Sequence, residues 1–344
     1  MKILEIRRPD DWHVHFRDTN LLADTVNATA RSFARALVMP NLVPPLITVE
    51  SLLAYRKRIE TACTTPSPFT PYMTLYLNEH LTEATLIEAS AHPFILGAKL
   101  YPAGVTTNAE AGASNIKQLY PLFELIQSQN QVLQIHGEVA HGDIFDREAL
   151  FIEEELRPLT QNFPKLRIVL EHISTQTAVN FIKEASACVA ATLTPHHLLY
   201  HRNALLAGGI KPHFYCLPIL KRQTDQLALQ EAATSGNPKF FAGTDSAPHA
   251  LHQKESACGC AGIYSAPFAL PLYTELFDKL NQLDKLEAFT SRFGAEFYQL
   301  PLNQDTCVLE KRPQSIPVSL PLGQSTVIPI AAGHSLSWSL YAPV

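Results

Sequence analysis

A closed (β/α)8 barrel is the fold this sequence predicts, and three observations predict it. Short apolar runs alternate with longer stretches of helical periodicity along most of the chain. Polar residues able to bind a metal fall at the C-terminal ends of those runs, the rim where barrels of this type build their sites. No Gly-x-Gly-x-x-Gly follows an early strand, which weighs against the alternative, a doubly wound open sheet that binds a dinucleotide.

The predicted strands, in order, are 3–6, 35–40, 70–77, 94–100, 131–136, 167–172, 188–193 and 239–243. Most are near-continuous apolar runs such as Ala36-Leu37-Val38-Met39 and Val132-Leu133-Gln134-Ile135, the pattern of parallel strands buried on both faces. The predicted helices are 48–62, 81–90, 115–129, 147–162, 176–186, 222–235, 267–281 and 284–293. Thr48 and Thr82 stand where N-caps belong, and Pro121 falls early in its helix or at a kink. One barrel domain over 1–344 is expected, with the barrel to about residue 300 and a small strand-bearing extension over 301–344, rich in Pro, Ser and Val.

Composition narrows the function. The 344 residues are 46% hydrophobic and 17% charged with net charge -5, so a large core is expected and the basic footprint of a nucleic-acid binder is missing. No run of about 20 apolar residues marks a membrane span, and the N-terminus lacks an apolar signal core. Six scattered cysteines fit reduced thiols in the cytoplasm better than a disulfide framework. The close pair Cys258-Gly259-Cys260 reads as loop packing.

The chemistry lies in Asp11-Trp12-His13-Val14-His15-Phe16-Arg17-Asp18. Side chains two apart on a strand point to the same face, so His13 and His15 can chelate one cation. Lys99 closes an apolar strand where a buried ammonium is costly. It is a paired cation, a Schiff-base lysine, or a neutral amine able to add carbon dioxide and become an anionic bridge between two metals. His136 and His172 close consecutive strands and would stand side by side. Asp245, in Gly243-Thr244-Asp245-Ser246, is an ordinary N-cap or, at the last strand end, a neighbour of His13 and His15 across the closure. This all-N/O donor set suits Zn²⁺, with Mn²⁺ or Co²⁺ as substitutes. Two such ions would support hydrolysis, or its reverse, at an amide-type carbonyl. Arg17, Asn41 and His249 form a set able to hold a substrate carboxylate. His196 and His197 read as structural. The small-residue stretch 103–114 is a lid or a plain surface loop.

These segments resemble the dihydroorotases of the amidohydrolase superfamily, the shorter monofunctional bacterial type. The likeness rests on the first-strand motif, Met39-Pro40-Asn41-Leu42, Gly97-Ala98-Lys99-Leu100-Tyr101-Pro102, Gln134-Ile135-His136-Gly137-Glu138 and Leu170-Glu171-His172-Ile173. It is closest over Lys211-Pro212-His213-Phe214-Tyr215-Cys216-Leu217-Pro218-Ile219-Leu220-Lys221 and Gly243-Thr244-Asp245-Ser246-Ala247-Pro248-His249. The resemblance implies a cytoplasmic, homodimeric enzyme of pyrimidine synthesis that interconverts N-carbamoyl-L-aspartate and (S)-dihydroorotate. It implies two Zn²⁺ per chain, one held by His13, His15 and Asp245 and the other by His136 and His172. Lys99, as N6-carboxylysine, would bridge them, with a bridging hydroxide as nucleophile and Asp245 as general base and acid. It places Arg17, Asn41 and His249 on the substrate carboxylate, the backbone of Leu217 and Ala261 on the ring, and Thr106 and Thr107 in a lid. Where some relatives carry a further cysteine, this chain has Ile263-Tyr264. The alternatives are another cyclic-amide hydrolase of hydantoinase type and a catalytically silent barrel kept as an assembly partner.

Overall fold

The computed structural model describes residues 2–341. Eight strands form one parallel sheet in chain order: β2 (Asp10–Val14), β3 (Arg35–Val38), β4 (Thr70–Leu77), β5 (Ile95–Leu100), β6 (Val132–His136), β7 (Arg167–Glu171), β8 (Val189–Leu193) and β9 (Phe240–Ala242). Just beyond the end of β9, Ser246 bridges Val14 of β2 in parallel, and Asp245 N donates to His13 O at 2.8 Å. That contact brings the last strand back beside the first and makes the sheet a barrel.

The run at 3–6 is not a barrel strand. It forms β1 (Ile3–Arg7), which pairs antiparallel with β10 (Thr306–Glu310) in the extension. Its mostly exposed, alternating burial suits a sheet packed on one face only. The barrel begins at β2, which the sequence disguises because Asp10, Asp11 and His13 interrupt its apolar character. Residues 342–344, the end of the expected extension, lie outside the described residues.

Helices cover the outside of the sheet. Thr48 caps Val49–Ala62 by accepting from Ser51 N, and Thr82 caps Glu83–Ser90 by accepting from Thr85 N. Leu22–Ala30 was not expected as a helix. Its Asp, Thr and Asn residues are weak helix formers, and its buried side, including Leu22 and Val26, joins the outer core. Among the described residues no helix is long and apolar enough to cross a membrane.

The outer core packs strand residues such as Val38, Leu75 and Ile135 against the helices. An inner cluster of Trp12, Leu37, Met39, Val132, Val169 and Phe241 fills the barrel floor, with Trp12 stacked on Tyr298 at 4.5 Å. Trp12 is therefore inward and Val14, two residues later, outward. An unbroken strand forbids this. The pairing of β2 with β3 shifts register between Asp11 and Val14, and such a bulge re-aims the side chains beyond it. Through it His13 faces inward above the filled floor.

Candidate metal centre and substrate pocket

His13 lies in β2, and His15 follows the strand by one residue. Asp245 follows β9 by three. The barrel closure sets all three at one rim. His13 Nε2 and His15 Nε2 are 3.2 Å apart, and Asp245 Oδ1 is 3.4 Å from the first and 3.2 Å from the second. Three ligand atoms at tetrahedral positions about 2.0–2.1 Å from a zinc ion stand about 3.3–3.4 Å from one another. The triangle therefore has the edge lengths of a zinc site. Its chemistry agrees: burial pushes both histidines towards the neutral form. Burial would also raise the Asp245 carboxyl, but His13 and His15 outweigh it and hold the group below the usual carboxylate range. Two neutral imidazoles and a carboxylate in mutual contact are matched to a cation.

The neighbours turn these rings. His15 Nδ1 is 2.8 Å from Asn41 Oδ1, which can only accept, so His15 carries its proton on Nδ1 and aims the Nε2 lone pair at the triangle. The acceptor nearest His13 Nδ1 is Glu171 Oε2, at 3.1 Å. Asp11 sits beneath, accepting from Thr244 N at 2.8 Å and from Thr244 Oγ1 at 2.6 Å, and so joins the first strand to the loop that carries Asp245.

A second group adjoins the first. The rings of His136 and His172 have centroids 4.7 Å apart, and those of His172 and His13 are 5.0 Å apart. His136 Nε2 is bonded to Glu138 Oε2 at 2.9 Å, which leaves Nδ1 as its free ligand atom. His172 Nδ1 is buried with no hydrogen-bond partner, the state of a nitrogen awaiting a ligand. Lys99, fully buried on β5, has its amine pushed well down by burial and contacts the Glu171 carboxylate. It precedes Leu100, the last residue of its strand.

Over this rim the stretch 103–114 folds back. Thr107 Oγ1 donates to Ala261 O at 3.2 Å, and Asn41 Nδ2 donates to Thr107 O at 3.1 Å. Thr106, Thr107, Leu217, Ala261, Asn41 and Arg17 line one pocket with His13, His15, His136, His172 and Asp245. β2 has ended before Arg17, so strand alternation does not place this side chain. A left-handed backbone does (φ 59°), and Arg17 Nε donates to Pro248 O at 3.1 Å beside His249. His172 and Asp245 also adopt positive φ, both 43°. Such strain in residues with a Cβ gathers at functional sites.

Comparison with known proteins agrees with the geometry. The family model described as "Amidohydrolase family" matches residues 10–303. A dihydroorotase of Nitrosococcus oceani is 56% identical over 98% of each chain. The crystal structure of a Campylobacter jejuni dihydroorotase superposes with a TM-score of 0.91 at 37% identity, covering 99% of this chain and 98% of that one. A Saccharomyces cerevisiae dihydroorotase in complex with 5-fluoroorotic acid gives 0.91 at 35% identity, over 99% of both chains. The chain belongs to the amidohydrolase family. Its activity is that of a dihydroorotase, hydrolysis of a cyclic amide and the reverse.

The amidohydrolase site holds residues that the sequence reading left without a role. Glu171 and Glu138 are both completely or almost completely buried, one beside His13 and Lys99 and the other on His136. A glutamate directly after the apolar run Ile168-Val169-Leu170 was the available signal for the first. His196, His197 and Cys216 also bring ligand atoms together. However, His197 already bonds Thr194 Oγ1 at 2.8 Å and Pro218 O at 2.9 Å. Cys216 Sγ donates to Pro218 O at 3.2 Å. Those bonds hold a turn. All six cysteines are free thiols.

Proposed function

We propose that this pocket carries out the reversible cyclisation of N-carbamoyl-L-aspartate to (S)-dihydroorotate plus water, in de novo pyrimidine synthesis, with two zinc ions at its base. The triangle of His13, His15 and Asp245, with zinc-like edges, carries this reading. His13, His15 and Asp245 would hold one ion, His136 and His172 the other, with Lys99 bridging them as a carboxylated lysine. The buried, neutral-leaning amine of Lys99 supports that modification. When bound, such a pair polarises the ring amide carbonyl and supplies hydroxide at neutral pH.

The chain's own groups do the rest. Arg17 holds the ring carboxylate as a charged donor, with Asn41 and His249 beside it. The backbone of Leu217 and Ala261 takes the ring amides. Thr106 and Thr107 close the mouth and shed water. In ring opening, Asp245 takes a proton from the attacking oxygen and passes it to the leaving ring nitrogen. In ring closure, Asp245 takes a proton from the carbamoyl nitrogen as that nitrogen attacks the side-chain carboxylate carbon and returns it to the departing oxygen, which leaves as hydroxide and becomes water with a proton from solvent. One carboxylate can serve both directions because it is ionised at rest.

The same pocket would bind 5-fluoroorotic acid. Two copies of the chain would pair, a reading supported by the likeness to the dihydroorotases and read by sedimentation. Zinc content of the purified protein, run beside ring opening of dihydroorotate and of an uncharged hydantoin, tests the proposal. Zinc-dependent turnover of dihydroorotate alone is expected. Preference for the hydantoin would take the carboxylate role from Arg17 and His249, and a zinc-free active protein would end the metal reading.

A further inference from the structure

Lys254 is a buried cation, 3% exposed, that makes no ion pair among the described residues. Its Nζ instead donates to three backbone carbonyls: Tyr215 O at 2.7 Å, Cys260 O at 2.7 Å and Gly262 O at 2.8 Å. An ammonium has three N–H donors, and all three are spent here. The carbonyls belong to two separate stretches, 215–217 and 260–262. Gly262 N donates to Tyr215 O at 3.0 Å and joins the same two stretches.

Successive carbonyls of an extended chain point to opposite sides. With Cys260 O and Gly262 O both turned to Lys254, the carbonyl between them turns away. Ala261 O indeed faces the pocket, where Thr107 Oγ1 donates to it and His249 Nε2 lies 3.0 Å from it. The packing around Gly262 admits no side chain. With φ at +147°, a Cβ there would stand 2.4 Å from Ala247 O.

We propose that Lys254 is a positioning residue for the substrate, its ammonium fastening the two backbone stretches that carry Leu217 and Ala261 at the separation the ring requires. This rests on the reading of Leu217 and Ala261 as ring contacts. A protonated Lys254 satisfies three carbonyls, whereas a neutral amine has two N–H donors and turns a lone pair on the third. Burial lowers the Lys254 amine to about 8. The titratable groups facing it are held out of that range. The thiols of Cys216 and Cys260 are pushed up, and His196 is pushed well down, in each case chiefly by burial. His249 is pushed down to about 2 by burial and by Arg17.

The test uses the zinc-loaded enzyme as wild type, Lys254→Met and Lys254→Arg. At neutral pH, Lys254→Met is expected to raise the KM for dihydroorotate about 10-fold and to weaken 5-fluoroorotic acid similarly. Zinc content should be unchanged and kcat less affected than KM. Lys254→Arg keeps the charge and donors and should recover much of the affinity. The ratio of Lys254→Met to wild-type KM should also fall towards one as pH rises through about 8, because the wild type then loses the proton the variant never had. A KM within about twofold of wild type at neutral pH, or a ratio flat across that range, overturns the proposal. If Lys254→Met does not fold, Lys254→Arg with unchanged zinc but no recovery of affinity overturns it. A wild type that turns over dihydroorotate but does not bind 5-fluoroorotic acid brings down the pocket reading, and the proposal with it.

Discussion

His15 Nδ1 and Asn41 Oδ1 lie 2.8 Å apart, and that bond ties a histidine of the ligand triangle to the loop that covers it. The other end of the Asn41 amide donates to Thr107 O at 3.1 Å. One side chain thus turns a ring and anchors the stretch 103–114 at Thr107. Asn41→Asp keeps the acceptor and loses the donor, whereas Asn41→Ala loses both. Asn41→Ala should weaken zinc binding by about 10–100-fold and cut turnover with it. Asn41→Asp should hold zinc nearly as well and show the higher KM of a loosened lid. Zinc titration and steady-state kinetics on the two variants separate these effects. Equal zinc affinity in both would remove Asn41 from the support of His15.

Asp245 has two tasks, and substitution separates them. Asp245→Asn leaves an oxygen that can still face a cation but cannot accept the transferred proton. Much of the zinc should remain while kcat falls by about 10²–10⁴-fold, the range for loss of a general base. Substantial retained turnover would assign proton transfer elsewhere.

Lys99 is buried against Glu171, so its removal uncovers a carboxylate as well as the proposed bridge. Lys99→Ala should lower zinc content and abolish ring opening. Added acetate or propionate can supply the missing carboxylate and should restore part of both. A fully loaded, active Lys99→Ala protein would sink the bridge.

The architecture was legible because burial on both faces of a parallel strand leaves apolar runs that are hard to hide. The candidate ligand positions stood out because a lysine, a histidine or an aspartate at the end of such a run breaks the pattern. The first barrel strand was harder to see. β2 carries Asp10, Asp11 and His13, and the apolar segment at 3–6 drew attention from it although it pairs with the extension instead. Lys254 and Glu138 left no local signal of their role. Each acts through partners on other segments, Tyr215 and Gly262 for one and His136 and Lys221 for the other. Only the fold brings those partners together.

The stretch 103–114 is held by polar contacts and by buried Val105, Ala109 and Ala113, with Ala109 packed among Tyr76 and Tyr101. Thr107 Oγ1 meets Ala261 O, and Asn108 Nδ2 donates to Asn41 O at 3.0 Å. Bonds of this kind contribute about 0.5–1.5 kcal/mol each. Thr106→Ala with Thr107→Ala should therefore reduce kcat by about 10-fold or more without altering zinc content. Kinetics like those of the wild type would make 103–114 a surface loop.

Glu148 gives the fold a pH dependence away from the ligand triangle. It is buried and accepts from Ser174 N at 2.8 Å, from Ser174 Oγ at 3.2 Å and from the Thr175 hydroxyl, at the start of the helix Gln176–Glu184. Burial raises its carboxyl from 4.5 to about 7, against the opposing pull of Lys221 and these bonds. The folded protein therefore binds this proton more tightly than the unfolded chain does. The associated stability is present in full below the ordinary glutamate pKa and is lost as pH rises through about 7. The loss amounts to about 3 kcal/mol at most, from 1.36 kcal/mol per pKa unit. Glu148→Gln remains neutral at every pH and keeps an acceptor for Ser174. Thermal unfolding near pH 5 and near pH 8 should show the midpoint of the wild type falling more than that of the variant. Parallel falls in the two proteins would mean that Glu148 is already ionised in the folded state at the lower pH, its burial offset by Lys221 and the hydroxyl donors.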